Sequence, residues 1–157
     1  MIREYARLAR PFFMMLAVVT LGRWLQGTAF GVEYHRGTGG FSIVTLTMYA
    51  SLFSALYLRR WLGWPLHKAA LFGMSLAVVS QLVILLSTAA SFLLGISSYF
   101  NHPLALNRPE TEAVGLGTAM AIRLGGLVAN TLGNGIVGGL GWAIGATLPA
   151  PDRSGPR

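Results

Sequence analysis

Residues 69–95 read AALFGMSLAVVSQLVILLSTAASFLLG, with no charged side chain among them. A helix crosses the hydrocarbon core of a bilayer with about 20 apolar residues. This run exceeds that length, so as a helix it tilts or projects past the hydrocarbon. Lys68 stands immediately before it, and the next charge on the other side is Arg108. A soluble domain carries about 25% charged residues. Here the charged fraction is 11% and the hydrophobic fraction 54%, and two further charge-free runs cover 37–58 and 124–151. The reading is therefore an all-α integral membrane protein, a single transmembrane domain over 1–157.

Working outward from 69–95 gives four spans, at 11–31, 41–59, 69–95 and 118–148, with a short polar tail at 149–157. The first is entered through Arg3, Arg7 and Arg10, with Pro11 expected at the first helical position, where its missing N–H costs nothing. The competing reading is a cleaved leader: the basic start and the apolar run 12–21 fit, with Gly27 and Ala29 as small residues. Arg23 and Trp24 sit badly before such a cleavage site. The second span closes on Arg59, Arg60, Trp61 and Trp64, a basic and aromatic group suited to the headgroup region. Gly95 is a helix stop. Pro149 and Pro151 end the last span.

Basic residues orient the spans. The N-terminus and the 59–68 connection hold Arg3, Arg7, Arg10, Arg59, Arg60 and Lys68 against Glu4, whereas the other two connections hold Arg36 and Arg108 against Glu33, Glu110 and Glu112. The positive-inside rule then places both termini in the cytoplasm and the chain, multi-pass, in the cell membrane. The net charge of +7, eleven Arg and one Lys against five acids, records this topology and implies an anionic lipid surface as partner, with no nucleic acid.

The fourth span is rich in glycine. Gly117, Ala121, Gly125, Ala129 and Gly133 recur every fourth residue, and the pairs Gly135 with Gly139 and Gly141 with Gly145 repeat that spacing. Lipid is as apolar as leucine, so membrane helices associate through close backbone approach, which small residues permit. The series predicts tight contact, within the bundle first, and alternatively at a seam with a second copy or another membrane subunit. The run Gly133-Asn134-Gly135 with Gly138-Gly139 has low helix propensity and raises the alternative of a broken helix, a device of transporter sites.

A charge in mid-span needs an explanation, since burying it costs at least about 2.5 kcal/mol. Arg23 is such a charge. Counting 1.5 Å per residue from 11, 69 and 148 puts Arg23, Gln81 and Asn134 at one depth, with Asn130 a turn away and Gln26 close by. These five residues make a polar layer, read as structural hydrogen bonding or as a mid-membrane ligand site for an anionic group. Shorter polar stripes, Thr47 with Ser51 and Ser54, and Gln81 with Thr88, Ser91 and Gly95, are expected to face inward.

Outside the membrane, Glu33 and His35 in one loop and His102, Glu110 and Glu112 in the other have the chemistry of metal ligands or an acid and base pair, but not the spacing of any such motif. They are expected to be solvated loop residues, with no metal. Cysteine is absent, which excludes disulfides and thiolate chemistry, and no P-loop, dinucleotide fingerprint or Ser-His-Asp arrangement occurs, so no cofactor is expected. The function expected is a non-enzymatic membrane subunit or scaffold. The alternative is a small oligomeric transporter or channel using the layer around Arg23.

Overall fold

The computed structural model describes residues 2–31 and 42–149, with side chains from Glu4 onward. Within them the chain is all-helical: α1 (Ile2–Thr28), α2 (Ile43–Leu62), α3 (Leu66–Leu93) and α4 (Leu116–Thr147), with a 3-10 turn at Pro103–Leu106. Three segments, Glu4–Thr28, Leu66–Leu93 and Leu116–Thr147, are long and apolar enough to cross a membrane. α2 has 20 residues, two of them arginines in its last turn, and is not among these three.

The element boundaries follow from local chemistry. Ser42 caps α2 by accepting from Thr45 N at 3.3 Å. At the other end Gly63 takes φ 65°, so that Gly63 N reaches Arg59 O and Trp64 N reaches Leu58 O, satisfying carbonyls the helix leaves open. Gly95 repeats the device after α3: its φ is 65° and Ile96 N bonds Ser91 O at 3.0 Å. The first helix departs from the expected boundary. It begins at Ile2, so Arg7 and Arg10 lie inside it and Pro11 is an interior residue. An interior proline removes a single backbone bond, the one to Arg7 O, while the apolar run beyond it continues the helix.

α3 is the central helix. Its buried positions, among them Ala69, Phe72, Leu76, Ile84, Thr88 and Ser91, run its length, and neighbours pack on several sides. α4 lies antiparallel to it, with Gly138 against Ala69 and Gly135 against Met74. α2 runs alongside α4 in the same direction, Leu52 opposite Gly141 and Leu56 opposite Gly145. α1 is parallel to α3, Tyr5 meeting Phe72 at one end and Gly27 meeting Ser98 and Tyr99 at the other.

The hydrophobic core cluster joins Ala9, Phe12 and Leu16 of α1 to Ile43 and Leu58 of α2 and to Phe72, Leu76 and Ile84 of α3, with Trp64 and Phe100 from the connections. α4 contributes no side chain to it. What α4 contributes is backbone. A Cβ at Gly141 would overlap the Leu52 carbonyl oxygen, and one at Gly145 would lie 2.8 Å from Leu56 O. From the other side, a Cβ at Gly73 of α3 would lie 2.7 Å from Asn134 O. α4 is also continuous through Gly133–Gly139, with no break there. Packed neighbours on one side hold a segment whose propensity alone is poor.

Candidate functional site

The expected glycine series divides over two faces of α4. Gly141 and Gly145, with Gly138 and Asn134, form the face closed against α2 and α3. Gly135 lies against Met74 and Gly139 against Leu66 Cδ1. The longer ridge lies elsewhere: Gly117, Gly125 and Gly133 have nothing within 4 Å of a Cβ, and Ala121 and Ala129 are exposed. Beside it runs a second exposed row, Leu124, Val128, Leu132, Ile136, Leu140 and Ile144, again every fourth residue.

Of the five polar-layer residues, Asn130, Asn134 and Gln81 lie together. Asn134, 2% exposed, accepts from Ser51 Oγ of α2 at 2.8 Å and donates to Asn130 O at 2.9 Å. Asn130 donates in turn to Gly126 O at 2.8 Å. Ser51 also lies 3.5 Å from Gly73 O, so α2, α3 and α4 meet at one serine. The buried Gln81 completes the layer, its Oε1 facing the open side of Gly126. All of these groups are neutral amides, hydroxyls and carbonyls. They fix the rotation and register of three helices and offer no group that titrates.

Arg23 lies with a different set of residues. Its guanidinium sits 5.0 Å from the centre of the Tyr99 ring, and Trp24 beside it packs on Phe100 at 5.5 Å. α1 ends at Thr28, so Arg23 is about 8 Å inside that end at 1.5 Å per residue, nearer the connection that follows α3 than the middle of the helix. Gln26, half-buried, is in the next turn. On the same cavity wall stands Arg123, which the sequence reading did not single out. Its Nε donates to Thr88 Oγ1 at 3.0 Å and its Nη2 to Phe100 O at 2.9 Å. Thr88 is fully buried and itself donates to Ile84 O at 2.8 Å. The available signal was that an arginine stands in the first turns of an apolar helix, where such a charge asks for a partner or a purpose.

Arg23 and Arg123 line one cavity of about 160 Å³, together with Tyr99, Phe100, Ile84 and the first turn of α2 at Ser42, Ile43 and Val44. All four helices thus meet around a space with two arginines on its wall.

The outer-loop candidates separate. Glu33 and His35 lie outside the described residues. His102 is used in a turn: its Nδ1 accepts from Leu104 N at 3.3 Å and starts the 3-10 helix. Glu110 is exposed, and Glu112 pairs with Arg108 at 3.6 Å on the surface, a contact of little energetic weight. Among the described residues no three histidines or carboxylates gather as a metal site would require.

The opposite end of the bundle carries the expected basic and aromatic group. Trp142 Nε1 donates to Trp64 O at 2.8 Å, with Arg59 4.7 Å from the Trp142 ring. Arg60 covers Trp61 at 5.1 Å, and Tyr5 packs on Trp64 at 5.3 Å. Arginine on tryptophan is a favourable cation and ring contact at a membrane surface. No known protein family, curated protein or solved structure matches this chain.

Proposed function

We propose that this chain is a four-span protein of the cell membrane with both termini cytoplasmic, and that it acts as a non-enzymatic subunit, holding a second membrane chain against the outer face of α4. The four-span reading adds α2 to the three apolar helices. At 20 residues it is about 30 Å long, enough for the hydrocarbon core. Its outward side is a stripe of Tyr49, Phe53, Tyr57 and Trp61, all well exposed, which suits lipid better than water. The topology rests on the gathering of Arg59, Arg60 and Lys68 with the start of α1 at one end of the bundle.

The observation that carries the functional reading is the ridge Gly117, Ala121, Gly125, Ala129 and Gly133. The same helix uses glycine on its inner face to bring backbones into contact, and repeats the small-residue pattern on a face with no partner inside the described chain. Small residues at a four-residue spacing are what a neighbouring membrane helix needs for close approach. The partner is a second copy or another membrane subunit.

The test uses the open space at those glycines. Gly125→Leu combined with Gly133→Leu does not lower the thermal stability of the chain, since a Cβ at either position meets open space and leucine is the better helix former. In native mass spectrometry of the gently solubilised protein, the wild type travels with a partner chain and the double variant does not. A wild type that is monomeric at membrane-like concentrations, or a complex indifferent to the double substitution, sinks the reading.

A further inference from the structure

We infer that the cavity between Arg23 and Arg123 binds a phosphate group, presented either by an anionic phospholipid or by inorganic phosphate. Four features on its wall converge on that chemistry. Two arginines, from two different helices, lie on the wall of the same cavity. Arginine is suited to this because its planar fork gives parallel N–H donors to phosphate oxygens. Arg123 donates to Thr88 Oγ1 and to Phe100 O, which orient its guanidinium at the cavity wall.

The third feature is the first turn of α2. Ser42, Ile43 and Val44 line the cavity, and the N–H groups that open a helix have no acceptor within it and carry its positive end. A helix start beside two arginines suits a tetrahedral oxyanion, with acceptors in several directions. The fourth feature is place and size. Arg123 is about 11 Å inside the start of α4 and Arg23 about 8 Å inside the end of α1, a depth near the outer headgroup level for helices this long. The volume of about 160 Å³ admits a headgroup phosphate but not a whole lipid, whose chains would lie outside on the apolar surface. The inference is independent of the α4 seam, whose glycines are not on the cavity wall.

The purified protein in a neutral detergent is titrated at constant ionic strength with inorganic phosphate, and separately with phosphatidylglycerol or phosphatidylcholine in mixed micelles. The unfolding midpoint is followed, and bound lipid is counted by native mass spectrometry. Saturable stabilisation by phosphate alone assigns the free ion; stabilisation by phosphatidylglycerol but not phosphatidylcholine assigns the lipid; a response to both assigns the shared group. In each case Arg23→Gln weakens binding at least tenfold, and Arg23→Lys, which keeps the charge and loses the fork, weakens it severalfold. Arg59→Gln at the opposite end leaves it unchanged. The inference is overturned if the wild type responds to neither probe beyond a chloride control, or if Arg23→Gln binds as the wild type does. The wild-type titrations decide the matter even where a variant folds poorly.

Discussion

α1 and α4 both lie against α3, and they are attached in opposite ways. α1 sends side chains into the core: Phe12 and Leu16 are buried, Tyr5 packs on Phe72 and Trp64, and Trp24 on Phe100. α4 sends almost none, and closes through glycines at the carbonyls of Leu52, Leu56 and Ala69, with one asparagine as a pin. In lipid, where burying apolar area gains little, the second mode is the stronger one per residue, because close backbones gain dispersion contacts and carbonyls over a long seam. α1, resting on rings and aliphatic chains, touches its neighbours more sparsely than α4 does.

That contrast can be broken most severely at Gly141. Gly141→Val places carbon atoms where the Leu52 carbonyl now lies, and backbone cannot swing aside as a side chain can. The expected loss is about 3 kcal/mol or more, the upper end of overpacking, measured by reversible unfolding in mixed micelles. A loss below about 1 kcal/mol would show that α4 is not held by that contact. Phe12→Ala tests the other mode. It removes a buried ring from the α1 side, and a loss of about 1–2 kcal/mol is expected, below the 3–5 kcal/mol usual in water because lipid recovers the transfer term. A loss as large as that of Gly141→Val would erase the distinction. The smallest effect is at the pin. Asn134→Ala removes the bond from Ser51 and is expected to cost about 1 kcal/mol, with Ser51→Ala similar and the two less than additive.

How much of this was legible in the sequence depended on whether length or rotation was at stake. The charge-free run around 69–95 and the stop at Gly95 are matters of length, and α3 follows them closely. Rotation is harder. Each residue turns a helix by 100°, and in α4 small residues stand at Gly125 and Gly126, at Gly133 and Gly135, and at Gly138, Gly139 and Gly141, on nearly every side. The regular series from Gly117 to Gly133 stood out in the sequence, yet the residues that touch neighbours are spaced three and four apart, at Asn134, Gly138, Gly141 and Gly145. Only the shapes of α2 and α3 decide between the two.

The polar layer shows a second limit. Depth counted from Pro11 brought Arg23 level with Asn134, but α1 starts nine residues earlier, and the count says nothing about which way a long side chain leans. Asn130, Asn134 and Gln81 do come together, while Arg23 lies toward Tyr99 and Arg123. Arg123, a charge inside the fourth span, was not counted with the polar layer because the depth count singled out the middle of the spans, and Arg123 stands seven residues from the start of α4.

The pin at Ser51 and Asn134 also has a meaning in the order of synthesis. α2 and α3 leave the ribosome before α4, and until α4 arrives Ser51, Gly73 and Thr88 have only lipid or one another on that side. α4 brings the polar groups that answer them, Asn134 to Ser51 and Arg123 to Thr88. A helix with an arginine and two asparagines is a poor passenger in lipid by itself, and the earlier segments hold the acceptors that make its entry tolerable. Residues 116–147 thus complete a polar seam that α2 and α3 leave open: a chain stalled before them lacks the groups that answer Ser51 and Thr88.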